Sequence, residues 1–124
     1  MANEITITTA LQAVNGNFRF PQIGSGSIKI DQAVAGGGSP GMITATFAAH
    51  VLVDLTDLAT EGWCYMKNID LQNFITFGVF VVTYFPLGKL KPGESALFRL
   101  DPGAVFAVQA DTADSQVQIH VMED

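Results

Sequence analysis

The chain has 124 residues, 48% hydrophobic and only 15% charged, with six Lys and Arg against twelve Asp and Glu for a net charge of −6. That length suits one compact domain, and the sign of the charge argues against a protein that neutralises nucleic-acid phosphates. So small a body with so little charge implies that part of its exterior is covered by another subunit. The opening Met1-Ala2-Asn3-Glu4 lacks the basic and apolar regions of a signal peptide, and no apolar run approaches the ~20 residues that span a bilayer. Residence in a cytoplasm-like compartment, without a membrane partner, is therefore expected. The single cysteine, Cys64, cannot close a disulfide within the chain, so stability must come from packing.

In chain order, Ile5, Ile7, Thr9, Leu11 and Ala13 alternate as one face of a strand that ends at Asn15-Gly16, a dipeptide suited to a type I′ hairpin turn. Phe18 and Phe20 begin the return strand, Gly24-Ser25-Gly26 breaks it, and Ser27 to Asp31 alternates again. The glycine-rich run over residues 35–41 reads as a flexible loop. From Ile43 to Leu55 every second residue is apolar, which predicts one long strand or two meeting at a bend. Trp63 to Lys67 reads as a short strand and Asn68 to Asn73 as a polar loop or a single helical turn. Phe74 to Phe85 is almost continuously apolar, so both of its faces are expected to be dry. Lys91-Pro92-Gly93-Glu94 and Asp101-Pro102-Gly103-Ala104 are predicted type II turns, and Ala96–Leu100, Val105–Ala110 and Val117–Val121 are of strand length. The whole predicts one all-β domain over residues 1–124, a β-sandwich or jelly roll of about eight to ten short antiparallel strands.

Candidate chemistry is sparse. Gly36 to Gly41 satisfies the letter of G-x-G-x-x-G, yet a proline interrupts it and a strand pattern, not a helix, follows. Cys64, His50 and Asp54 are the residue types of a thiolate dyad with an orienting carboxylate, but Trp63 and Tyr65 give the thiol an apolar setting and no elbow or helix start activates it. His50 and His120 stand apart, no His or Cys recurs at ligand spacing, and Asp54/Asp57 and Asp111/Asp114 do not form a calcium ladder. No enzyme activity, cofactor or metal is expected. The aromatics Trp63, Phe74, Phe77, Phe80, Tyr84, Phe85, Phe98 and Phe106 read first as core or interface. A glycan-binding module, stacking sugars around the loops Gly36–Gly41 and Asn68–Asn73, is the alternative from a different class.

The order of these elements carries a resemblance. The alternating strand that ends at Asn15-Gly16, Ile28 to Gln32, the glycine-rich run, Gly62-Trp63, Asn68-Ile69-Asp70, Asn73, Leu90 to Glu94, Leu97 to Leu100, Pro102-Gly103 and Ala110 to Ala113 together resemble the small β-sandwich structural proteins of tailed bacteriophages, particularly capsid decoration or cement proteins. The same architecture serves tail and head-fibre components. The resemblance implies a virion protein on the outer capsid surface, commonly a homotrimer, made in the host cytoplasm and clamping adjoining copies of the major capsid protein. Within such a trimer, Phe80, Val82 and Tyr84 are the candidate contacts, since their run has more apolar faces than one core needs. The N-terminal segment Ala2, Asn3, Glu4, Ile5, Thr6, Ile7 and Thr8, rich in strand formers, is the candidate capsid contact through pairing with a neighbour's edge strand.

Overall fold

The computed structural model of the chain describes residues 4–24, 26–33 and 35–124. Period-two alternation and turn residues produce twelve short strands and, among the described residues, no helix. They are β1 (Ile5–Thr8), β2 (Leu11–Asn15), β3 (Phe18–Ile23), β4 (Ser27–Ile30), β5 (Gly37–Ala45), β6 (Val51–Leu52), β7 (Glu61–Asn68), β8 (Ile75–Val81), β9 (Thr83–Leu90), β10 (Ser95–Arg99), β11 (Phe106–Ala110) and β12 (Ser115–Glu123). All pairings are antiparallel. The class is the all-β, sandwich-type class that the alternation predicts. The strands fall into two compact units, Met1–Val34 and Ala35–Asp124.

The second unit holds the sandwich. One four-stranded sheet has the order β10-β7-β12-β5 and the other the order β6-β11-β8-β9. The central strand β12 alternates, turning Val117, Ile119 and Val121 inward at zero exposure. Cys64 and Met66 of β7 and Ala45 of β5 join them. Ile75, Phe106, Val108 and Ala110 close the core from the second sheet. Rings bridge the two layers, with Phe98 of β10 stacked on Phe77 of β8 at 5.6 Å and tilted against Phe106 at 5.8 Å. Each fully buried Val, Ile or Met side chain contributes about 1.5–3 kcal/mol by leaving water.

Asn68 is the polar anchor of this sandwich. Its side-chain amide donates to the carbonyls of Asn73 (2.9 Å) and Leu90 (3.0 Å), and its oxygen accepts from the Asp70 amide at 3.0 Å. Its own backbone bonds Glu94 and Gly93 across the turn at residues 91–94. Asn68 therefore closes β7 as a strand end, and the following segment is a loop without a helical turn.

The first unit is built differently. β1 pairs with β4, and β2 pairs with β3, giving two separate two-stranded sheets. The run read as one strand from Ile5 to Ala13 breaks at Thr9-Ala10 and serves both. Ile7 is the buried apolar residue here, while every residue of β2 and β3 is exposed.

Several local expectations are corrected. The glycine-rich run is not a loop from Gly37 onward: it forms the first half of β5, held by pairing of Gly37, Ser39, Pro40 and Gly41 with β12. Its glycines adopt positive φ where an L side chain would be strained, which lets so irregular a strand pair at all. The first hairpin turn has Gly16-Asn17 at its centre with positive φ at Gly16 alone, the II′ pattern rather than I′. Gly93 has the positive φ of a type II turn, but Gly103 does not. There the Asp101 carboxylate accepts from the Gly103 amide at 3.0 Å and fixes a type I reversal instead. The run Phe74 to Phe85 is a hairpin, with Val81 opposite Thr83 across a one-residue reversal at Val82.

Candidate interaction surfaces

The residues that could perform chemistry are kept apart. Cys64 is wholly buried on the inner face of the first sheet, and burial pushes its thiol up to about 12. His50 instead precedes β6 in the second sheet and stacks 4.6 Å from Phe80 and 5.6 Å from Tyr84, nearly parallel to both. Asp54 accepts from the hydroxyl and amide of Thr56, which hold its carboxyl below the usual range. No thiolate dyad is assembled. His120 bridges the Gln118 side-chain amide (2.9 Å) and the Gly38 carbonyl (3.0 Å). Among the described residues, no three His, Cys, Asp or Glu side chains gather as a metal site.

The loop after Asn68 frames an open recess of about 350 Å³ lined by Ile69, Asp70, Leu71, Gln72 and Gln116. The amides of Asn73 and Gln72 hold the Asp70 carboxyl below its ordinary range, so the loop is internally tied. No aromatic ring lines the recess, and Gly36–Gly41 carries none either. Aromatic side chains on the first sheet lie elsewhere. Trp63 and Tyr65 alternate with buried Cys64 and Met66 and so face outward, opposite Arg99 and Leu97 of β10. The Arg99 guanidinium lies 5.5 Å from the Trp63 ring and pairs with Asp124 at 3.0 Å.

Two apolar surfaces stand out. The first is the end of the β8–β9 hairpin, where Val81, Val82, Phe85 and Leu87 are exposed, Val82 to 89% and Leu87 to 73%. Within the single chain, the two faces expected to be dry are not both covered here. Of the three residues proposed as subunit contacts, Val82 is the exposed tip, whereas Phe80 and Tyr84 are half-buried and occupied by the His50 ring. The Tyr84 hydroxyl also lies 2.9 Å from that of Thr76, and burial raises its pKa against that bond.

The second surface is the ribbon β2–β3. The register sets Leu11 opposite Ile23, Ala13 opposite Phe20 and Asn15 opposite Phe18, with a bulge between the first two pairs. One face of the ribbon therefore carries Leu11, Ala13, Phe18, Phe20 and Ile23, and the other carries Gln12, Val14 and Arg19. Leu11 and Phe18 are each 60% exposed, Ile23 49% and Phe20 36%. This face went unrecognised in the sequence, although Leu11/Ala13 and Phe18/Phe20 alternate visibly about Asn15-Gly16.

The N-terminal candidates divide. Ala2 and Asn3 lie outside the described residues. Glu4 accepts from the Gln32 amide at 3.2 Å, and Ile5, Thr6, Ile7 and Thr8 form β1 against Ile30, Lys29, Ile28 and Ser27. One edge of β1 is thus used within the chain, and Ile7 is buried.

Comparison with protein-family models, with curated proteins and with solved structures gave no match to this chain.

Proposed function

We propose that the chain is a non-enzymatic virion structural protein, a capsid decoration or cement protein that binds the outer surface of a phage head and ties adjoining major capsid subunits together. The observation that carries this reading is the amount of apolar surface left without a core: the ribbon face of the first unit and the hairpin end of the second. Two-stranded ribbons are marginal in water by themselves, and exposed apolar patches of this kind mark docking sites. In this reading copies associate, commonly as a trimer, with Val82 at the contact, and the segment Ala2–Thr8 engages the major capsid protein by strand addition. Deleting Ala2–Thr8 abolishes occupancy of purified capsids while leaving a folded trimer. Undiminished occupancy overturns the assignment of that segment.

Glycan binding is the second reading, favoured by the outward pair Trp63 and Tyr65, two residues apart on one face beside Arg99. A glycan array without a hit removes it.

A further inference from the structure

Of the edges of the two four-stranded sheets, those formed by β5, β6 and β9 are closed to an added strand. β5 carries Pro40 and a bulge against β12, β9 carries Pro86 and a bulge against β8, and β6 is two residues long. The remaining edge is β10, where Ser95-Ala96-Leu97-Phe98-Arg99 has no proline, glycine or bulge and a single charge. Its hydrogen bonds show what that edge offers. Leu100 donates its amide to the Gly62 carbonyl (2.9 Å) and the Glu94 carbonyl accepts from the Asn68 amide (3.0 Å), so the even-numbered residues of this stretch bond to β7. By alternation the N–H and C=O groups of Ser95, Leu97 and Arg99 point the other way, where among the described residues no strand pairs.

We propose that the strand completing this edge is β10 of a second copy, antiparallel about a two-fold axis at Leu97, so that the sheets of both copies run on as one. The strand's own sequence argues for this occupant. With the axis at Leu97, Ser95 faces the partner's Arg99, Leu97 faces the partner's Leu97 and Arg99 faces the partner's Ser95. Each facing pair exchanges two hydrogen bonds, which satisfies every outward group of the strand. Moving the axis to Ala96 or Phe98 loses one of the facing pairs. On the core side the same register sets Ala96 against the partner's Phe98, small against large, and on the other side the one charge falls against a serine, so no like charges meet. Length matches too. The turns at residues 91–94 and 101–104 close both ends of the edge, each with a backbone hydrogen bond, so a strand of β10's own five residues fills it and a longer one meets the turns. The second layer contributes on the same side: Phe77 of β8 stacks on Phe98, which puts β9 at the border beyond it, and Phe85 and Leu87 of β9 are exposed. Pairing uses the unblocked edge of each sandwich and so stops at two copies.

This contact goes beyond the proposed function and uses neither Val82 nor Ala2–Thr8. In hydrogen exchange on the full wild-type chain, the amides of Ser95, Leu97 and Arg99 are protected although they have no partner within the chain. Leu97→Lys, which sets two like charges together on the axis, exposes those amides and halves the solution mass in light scattering, while the amides of β12 stay protected and report an intact fold. Leu97→Cys under mild oxidation gives a covalent dimer of twice 13.2 kDa on a denaturing gel, because facing Cα atoms of such a pair lie about 5.5 Å apart, within disulfide reach. Ser95→Cys does not, since the axis separates its two copies by about 13 Å along the strands. The native thiol at Cys64 is buried and stays silent. Free exchange of the three amides in a folded wild-type chain of 13.2 kDa at every concentration, or equal cross-linking by the two cysteine variants, overturns the proposal. Loss of capsid binding with β10 cross-linking intact overturns the proposed function alone.

Discussion

The thiol of Cys64 illustrates how far local sequence context reaches. Trp63 and Tyr65 mark its setting as apolar in the sequence, and it is buried, but they point away from it. Its enclosure comes from the inner face, where Met66, Val121 and the second sheet exclude water. Because the thiol titrates near 9.0 when unfolded and at about 12 when folded, its protonated form is favoured by the fold. The associated stability is complete below pH 9.0 and is lost as pH rises toward 12. Unfolding free energies from urea titrations across that window should fall by about 1.4 kcal/mol per pH unit from this group. Cys64→Ala should remove that part of the slope, and an unchanged slope would assign it to other groups, among them Tyr84, whose pKa is raised in the same direction. His50 was harder to read. It lies in a polar-alternating stretch, and only the register set by the reversal at Val82 brings Phe80 and Tyr84 to its ring.

At the scale of elements, strands with strict alternation were legible and those shaped by partners were not. β7 and β12 follow from side-chain pattern alone, since every second residue of each is buried. β5 does not, because its first half is glycine and proline and becomes a strand only through the backbone of β12. Turn types were equally mixed, since Asp101 redirects a Pro-Gly turn that the Lys91 turn leaves as type II. The β8–β9 hairpin holds the most exposed anomaly of the fold: Val82, a β-branched residue, at φ +66° and 89% exposed. Such a residue is strained there by about 1–3 kcal/mol and gains little burial in exchange. Val82→Gly should therefore raise stability by about 1 kcal/mol in denaturant unfolding, after allowing for the added freedom of the unfolded chain. A loss of stability would mean that the valine is held by contacts with another subunit. Val82→Gly in that case would also lower the solution mass.

For the whole molecule, charge and apolar surface are partitioned between the units. The neutral first unit carries the ribbon stripe, and the acidic second unit carries the packed core. This partition was not legible, because alternation reports which face of a strand is apolar and is silent on whether anything covers that face. It has a consequence for solution behaviour: each copy that joins an assembly adds a net charge of −6 to it. Raising salt from about 0.05 M to about 0.5 M, which shortens the screening length from about 14 Å to about 4 Å, should strengthen association measured by sedimentation. Weakening with salt would point to ion pairs between copies instead.

Chains with so many exposed apolar strands are prone to stack without limit, edge upon edge. Here the edges β5 and β9 contain Pro40 and Pro86, β3 contains Pro21, and β6 is only two residues long. Growth by strand addition is interrupted at each of these edges. A concentrated solution of the protein should therefore stay clear and free of fibrils.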